Sequence, residues 1–230
     1  MTTTAPEITL EARFAELDRT VEAAWARTKD TPYWKNMMAG NFTPGILRRY
    51  LTETYHYVCQ NAKNQAAVAL RLNDSQADYA KYCLKHALEE NGHEQMCLHD
   101  LRVTGMDPEI ARRMRPLPAT LGFIGYLYTL AAFGNPVARL GYSYYAEGSH
   151  LYLGEALSKI KGQFGLNDGQ MTFFVAHSAI DEVHFREVKQ AIAAFCKTDQ
   201  DWADVAYTIT CVASLSMHML TEILENPIDG

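Results

Sequence analysis

The chain has 230 residues, of which 48% are apolar, and 21 basic against 27 acidic side chains give it a formal net charge of −6. This is enough apolar material for one sizeable core, so we predict a single domain over residues 1–230. The basic residues form no cluster, and nucleic-acid binding is not expected because neutralising phosphates requires clustered Lys and Arg.

Long segments with helical periodicity dominate the sequence, and the alternating pattern of strands is scarce. The first half of the chain predicts helices over residues 8–27, 44–72, 76–103 and 108–114. Thr43 and Pro44 open the second helix as an N-cap residue followed by proline at the first helical position.

The second half predicts helices over residues 117–133, 135–161, 169–196 and 199–225. Asn167-Asp168 and Thr198-Asp199 provide the N-caps of the last two. We therefore predict an all-α fold, a bundle of seven or eight helices in one domain.

Cysteine usage and the apolar segments indicate a cytoplasmic protein without a membrane segment. The five cysteines are odd in number and contain no C-x-x-C pair, which is typical of reduced thiols rather than of a disulfide framework or a zinc site. Residues 1–6 lack the basic and apolar regions of a secretory signal. The most apolar stretch, 117–133, contains glycines and is short for a bilayer span.

Three predicted helices carry side chains that can bind metal ions. Glu90 and His93 form an E-x-x-H pair, whose members lie on one helix face. Glu147 follows a mostly apolar and aromatic stretch, where a carboxylate is expected to be buried and to need a partner. The helix predicted over residues 169–196 carries a stripe at positions i, i+4 and i+7, formed by His177, Asp181 and His184.

Each of these segments has an ordinary explanation when taken alone, since E-x-x-H pairs are common on solvated helices and the stripe could be a surface salt-bridge network. A metal is the simplest partner for all three together. Imidazoles and carboxylates without a thiolate suit non-haem iron, and ligands shared by two ions leave positions for O2 and substrate. His150 forms a second E-x-x-H pair with Glu147, and we expect it to pack beside the site rather than to bind metal.

These segments resemble those of a known family. The third-helix pattern Glu90-x-Gly92-His93, followed by Asp100 and Gly105, resembles a signature of haem-oxygenase-like di-iron oxidases and oxygenases, iron-containing redox enzymes related to the TenA and PqqC fold. The segments 146–149 and 177–184 are similar to the other ligand segments of that family in order and spacing.

The resemblance implies a haem-oxygenase-like bundle without haem, holding two ferrous ions, with manganese as an alternative metal. It implies O2-dependent oxidation of a small organic substrate, such as an amino acid or fatty acid, by C–C cleavage, desaturation, N-oxygenation or nitrile formation in a biosynthetic pathway. A homodimer is a common state of such bundles. The implied metal ligands are Glu90, His93, Glu147, His177, Asp181 and His184.

One position departs from part of that family. Some members carry the first glutamate seven residues before the histidine, where this chain has His86. The arrangement with Glu90 resembles the branch that decarboxylates fatty acids to terminal alkenes. We predict Glu90 as the ligand and keep His86 as an alternative ligand or a hydrogen-bonding neighbour.

Four other hypotheses stay open. A haem oxygenase needs a proximal histidine in the first helix, whereas the first histidine here is His56. A ferritin-like bundle would use Glu53 as well and would leave His177 surplus. A metal-free enzyme of the thiaminase kind needs an activated cysteine. A non-catalytic metal or ligand binder on the same scaffold would carry the same residues as the enzyme.

Overall fold

The computed structural model describes residues 8–229, with the side chains of residues 174 and 176–181 left out. All regular secondary structure in this described part is helical, which confirms the all-α prediction. The α-helices, in chain order, are α1 (Leu10–Lys29), α2 (Pro32–Met38), α3 (Pro44–Ala69), α4 (Ala77–Glu90), α5 (Glu94–Val103), α6 (Pro108–Arg113), α7 (Pro118–Ala132), α8 (Leu140–Glu147), α9 (His150–Phe164), α10 (Thr172–Phe195) and α11 (Asp199–Glu225).

Threonine N-caps determine where several helices begin. The hydroxyl of Thr43 accepts a hydrogen bond from the Ile46 amide, and Thr198 caps α11 in the same way. Thr31 begins the short helix α2, for which the sequence analysis assigned no helix. Its cap and the proline after it are the same signals that open α3, but seven residues are too few to show helical periodicity.

Two of the predicted long helices are each divided in two. The segment 76–103 is interrupted after Glu90, where Gly92 has a φ of +102°, a conformation that side-chain-bearing residues rarely adopt. The segment 135–161 is interrupted after Glu147, where the Ser149 amide donates to the Ala146 carbonyl three residues back. Both interruptions directly follow a candidate metal ligand.

Two long helices organise the core. Helix α11 packs against α1, α7 and α8, and its residues Val205, Ile209 and Val212 are fully buried. Helix α3 packs against α4, α5 and α7, and α10 lies against α8 and α5. This places the ends of α4 and α8 beside the middle of α10. None of the helices in residues 8–229 combines the length and apolarity that a membrane span requires.

Candidate metal centre

Carboxylates and imidazoles from three parts of the chain meet inside the bundle. The last residue of α4 is Glu90, the last residue of α8 is Glu147, and His184 lies in α10. Nδ1 of His184 is 3.4 Å from Oε1 of Glu90 and 3.7 Å from Oε2 of Glu147. His93, in the turn between α4 and α5, brings its Nδ1 to 3.4 Å from Oε2 of Glu90. The E-x-x-H pair therefore meets around a helix break rather than along one helix face.

His86 belongs to the same cluster. Its Nε2 is 3.8 Å from Oε1 of Glu147, and ligand atoms of His86, Glu90 and Glu147 all lie within 4.8 Å of one another. All three side chains are buried. The structure thus brings both His86 and Glu90 to the site, and it does not make them exclusive alternatives.

The cluster contains buried polar atoms that have no hydrogen-bond partner among the described residues. They are both ring nitrogens of His86, Oε1 of Glu90 and Nδ1 of His184. A buried polar atom left without a hydrogen bond costs about 1–3 kcal/mol, so several of them together need a common partner. Neutral imidazole and carboxylate oxygen are the donors that ferrous iron accepts, and the residues present fit such an ion.

The pKa values at the cluster depend on burial and on the two carboxylates. Burial lowers the pKa of His86 to about 4, which keeps it in the neutral form that binds metal. Contacts with Glu147 and then Glu90 raise the pKa of His184 to about 10. Burial raises the pKa of Glu147; burial also tends to raise the pKa of Glu90, but the close contacts with His184 and His93 outweigh it and lower that pKa.

The raised pKa of His184 has a geometric cause, because its ring lies between two buried carboxylates that stabilise a positive charge. A protonated His184 supplies such a charge to both carboxylates. Binding a metal through His184 would release this proton, and the metal affinity would then depend on pH.

Helix α10 is attached to α5 by a buried carboxylate. Asp100 accepts hydrogen bonds from the backbone amides of Thr172 at 2.8 Å and Phe173 at 3.0 Å, and thereby caps the N-terminus of the helix that carries His184. On the outside, Lys85 of α4 donates to Glu187 of α10 at 2.8 Å. Asp100, which belongs to the segment that resembles the family signature, therefore holds the start of α10 in place.

A buried polar network lies behind Glu90. Asn61 of α3 donates its amide to Oε2 of Glu90 at 2.8 Å and accepts a hydrogen bond from Arg139 at 2.7 Å. Asn61 and Arg139 were not predicted from the sequence. The only available signal was Asn61 and Asn64 at a spacing of three, which solvent-exposed helix faces also show.

Two of the residues considered from the sequence, His150 and Glu53, are not part of this cluster. His177 and Asp181 lie outside the described residues, so their role as ligands stays a prediction. His150 places its Nδ1 2.6 Å from the Glu147 carbonyl oxygen and its ring edge-on to Phe185, as expected for a packing histidine. Glu53 is ion-paired with Arg49 and accepts the Leu117 amide, a structural role that does not favour the ferritin-like arrangement.

The fold and the cluster define an all-α protein in which candidate metal ligands come together from the ends of two helices and the middle of a third. The sequence model of the family described as iron-containing redox enzymes matches residues 48–217, and the chain belongs to this family.

Solved structures show the haem-oxygenase-like fold. A domain of unknown function with this fold from Shewanella denitrificans shares 38% identity, covers 92% of this chain and 92% of its own, and superposes with a TM-score of 0.90. A TenA homologue from Pseudomonas syringae shares 16% identity over 98% of this chain and 99% of its own, with a TM-score of 0.76. Haem oxygenase-1 from Synechocystis shares 16% identity over 93% of each chain, with a TM-score of 0.71.

The two distant structures support the fold alone, because at 16% identity a site need not be shared. No curated protein matches the sequence. The predicted relationship to haem-oxygenase-like iron enzymes is confirmed, and the chemistry has to be argued from the site.

Proposed function

We propose that this protein is an O2-dependent non-haem di-iron oxidoreductase that acts on a small organic substrate. The observation that carries the proposal is the buried cluster of His86, Glu90, Glu147 and His184 in a member of the iron-containing redox enzymes. Bound ferrous ions would supply the binding site and the electrons for the reduction of O2.

The residues proposed to hold two iron ions come from both sides of the cluster. One group lies at the ends of α4 and α8, where the two carboxylates are buried. The other group is on α10, where we propose that His177 and Asp181 join His184. The ligand set is therefore the predicted Glu90, His93, Glu147, His177, Asp181 and His184, with His86 as a further ligand or a neighbour.

The chain's own contribution is a buried surrounding, rich in aromatic contacts, for the proposed ligands. The ring of Tyr82 stacks on His86 at 5.8 Å between centroids, and Tyr144 packs on Phe185 at 4.9 Å. Burial in such surroundings disfavours uncompensated charge and strengthens the attraction between the carboxylates and a cation. We expect the substrate to be an amino acid, a fatty acid or a related small molecule, in a biosynthetic pathway of the cytoplasm.

The cysteines do not favour the thiaminase-like alternative. Burial raises the pKa values of four cysteines, and the pKa of Cys83 reaches about 11. The four are Cys59, Cys83, Cys97 and Cys196. An activated thiolate requires a lowered pKa, so none of these four thiols has the property that a nucleophilic cysteine needs.

The test is anaerobic loading of the purified protein with Fe(II), followed by measurement of bound iron and of O2 consumption with a panel of amino and fatty acids. We expect two irons per chain and substrate-dependent O2 uptake. A chain that binds no iron, or only one, contradicts the di-iron proposal. Two irons with no O2 uptake on any substrate favour the non-catalytic binder.

A matched pair of histidine variants tests the site itself. His184→Ala removes a nitrogen that faces both carboxylates, whereas His150→Ala removes one that faces a backbone carbonyl. We expect His184→Ala to lose iron and His150→Ala to keep it. His86→Ala then decides the role of His86. If His86 is a ligand, the variant should lose iron; if it is a neighbour of the ligands, the variant should only bind iron more weakly.

A further inference from the structure

A fully buried guanidinium lies behind the candidate metal cluster, and each of its three nitrogens donates a hydrogen bond. Arg139 donates from Nε to Oδ1 of Asn64 at 2.8 Å, from Nη1 to Oγ of Ser143 at 2.7 Å, and from Nη2 to Oδ1 of Asn61 at 2.7 Å. Its guanidinium also lies 4.4 Å from the centre of the Tyr142 ring. A buried charge held in this way has a defined position.

The guanidinium determines the orientation of the Asn61 side-chain amide. Arginine has donors and no acceptor, so the oxygen of Asn61 must face Arg139. The nitrogen of the same amide then faces Glu90 and donates to its Oε2 at 2.8 Å. A flipped amide would place two acceptors against each other on one side and two donors on the other.

The orientation of Asn61 in turn selects one oxygen of Glu90. Oε2 is occupied by the hydrogen bond from Asn61 and lies 3.4 Å from His93. Oε1 is buried, has no hydrogen bond within the described part of the chain, and lies 3.4 Å from Nδ1 of His184. Oε1 is thus the oxygen of Glu90 that faces His184 and receives no hydrogen bond from the described residues.

We propose that Asn61 is a positioning residue that holds the Glu90 carboxylate so that Oε1 is presented to the metal. This inference rests on the proposed function, because it takes Glu90 as a metal ligand. Residues that orient a ligating carboxylate in this way commonly change metal affinity when they are removed.

The chain offers a matched control for this proposal. Asn61 and Asn64 both lie in α3, both are buried, and each accepts one hydrogen bond from Arg139. Only Asn61 also donates to Glu90; the amide of Asn64 donates to the Gln60 carbonyl in its own helix. The variants Asn61→Ala and Asn64→Ala therefore differ in the contact to the metal ligand.

The experiment is anaerobic titration of each variant with Fe(II) alone, together with thermal unfolding of the metal-free proteins. We expect Asn61→Ala to weaken iron binding about 10- to 100-fold, and Asn64→Ala to stay within about threefold of wild type, with similar losses of thermal stability in both. If Asn61→Ala does not fold, Asn61→Leu replaces it, because leucine keeps the branched shape and removes both hydrogen bonds. We expect the same weakening of iron binding for this variant.

The possible outcomes separate the two proposals. Wild-type protein that binds no Fe(II) refutes the proposed function. A different result overturns only the positioning role of Asn61. In that case the wild-type protein binds iron, and the Asn61 and Asn64 variants bind it equally weakly or as well as wild type.

Discussion

The contact between α8 and α11 provides the sharpest test of the packing that places Glu147. Gly141 of α8 lies so close to α11 that an added Cβ would be 2.4 Å from the Val205 carbonyl oxygen and 2.8 Å from Cβ of Thr208. One of these atoms is backbone and the other is the branch point of a buried side chain. Neither can move away unless the helices separate.

The expected cost of Gly141→Ala follows from these distances. Carbon–oxygen contacts are normally no closer than about 3.3 Å, so the helices must move apart by roughly 1 Å. Overpacking of this kind costs about 3 kcal/mol at the upper end of its usual range. Alanine recovers about 1 kcal/mol of helix propensity, which leaves a net loss of about 2 kcal/mol. For a chain of this size that lowers Tm by roughly 4–8 °C.

Gly154→Ala is the matched control. Gly154 lies in α9, is exposed, and has nothing within 4 Å of the position of an added Cβ. The same substitution there should only gain helix propensity, about 1 kcal/mol, and raise Tm by roughly 2–4 °C. The two glycine variants should therefore shift Tm in opposite directions.

The same pair of variants tests the link between packing and the metal site. Glu147 lies in α8 with Gly141, and its Oε2 is 3.7 Å from His184. A shift of α8 changes this separation, so Gly141→Ala should also weaken Fe(II) binding, whereas Gly154→Ala should not. Thermal unfolding by circular dichroism and anaerobic Fe(II) titration provide the two measurements. A Tm for Gly141→Ala equal to or above that of wild type would refute the reasoning.

Three further predictions concern the surroundings of the site. Glu53→Gln removes the negative charge that pairs with Arg49 and replaces one of the two carboxylate oxygens, the other of which can accept only one of the present hydrogen bonds. Urea unfolding should show a loss of about 1–3 kcal/mol in stability, with the iron content unchanged. Loss of iron would favour the ferritin-like arrangement instead. Asp100→Ala removes the N-cap of α10, which should cost about 0.5–2 kcal/mol in the same assay and weaken iron binding, and an unchanged urea midpoint would contradict this capping role. The pKa of His184 is raised from 6.5 to about 10, so the stability that it contributes to the metal-free protein is fully present below pH 6.5 and is lost as the pH rises through about 10. His184→Asn should flatten this part of the pH–stability curve, and an equally steep curve would count against the pairing.

Part of the candidate site was accessible from the sequence because its residue types and spacings are distinctive. Glu90, His93, Glu147 and His184 were predicted as ligands, and the structure brings these four together. Asn61 escaped prediction because a buried asparagine has the same sequence signature as a surface one. Its importance depends on a hydrogen bond to Glu90, 29 residues along the chain.

The two helix breaks, like Asn61, could not be predicted from the sequence. The segments 76–103 and 135–161 have unbroken helical periodicity, since an interruption of two or three residues hardly changes the pattern of apolar positions. Both breaks lie at the site, after Glu90 and after Glu147. They turn the chain so that each carboxylate stands at the end of a helix.

The amino-acid sequence by itself determined the helical class, the capped starts of α3 and α11, and the residue types available for a metal, because periodicity, capping and side-chain chemistry are local properties. Only the tertiary structure decided that His86 and Glu90 share one cluster, that Arg139 orients Asn61, and that α8 and α11 touch at Gly141. These contacts join helices far apart in the chain, and their distances follow from how the whole core packs rather than from any spacing within a segment.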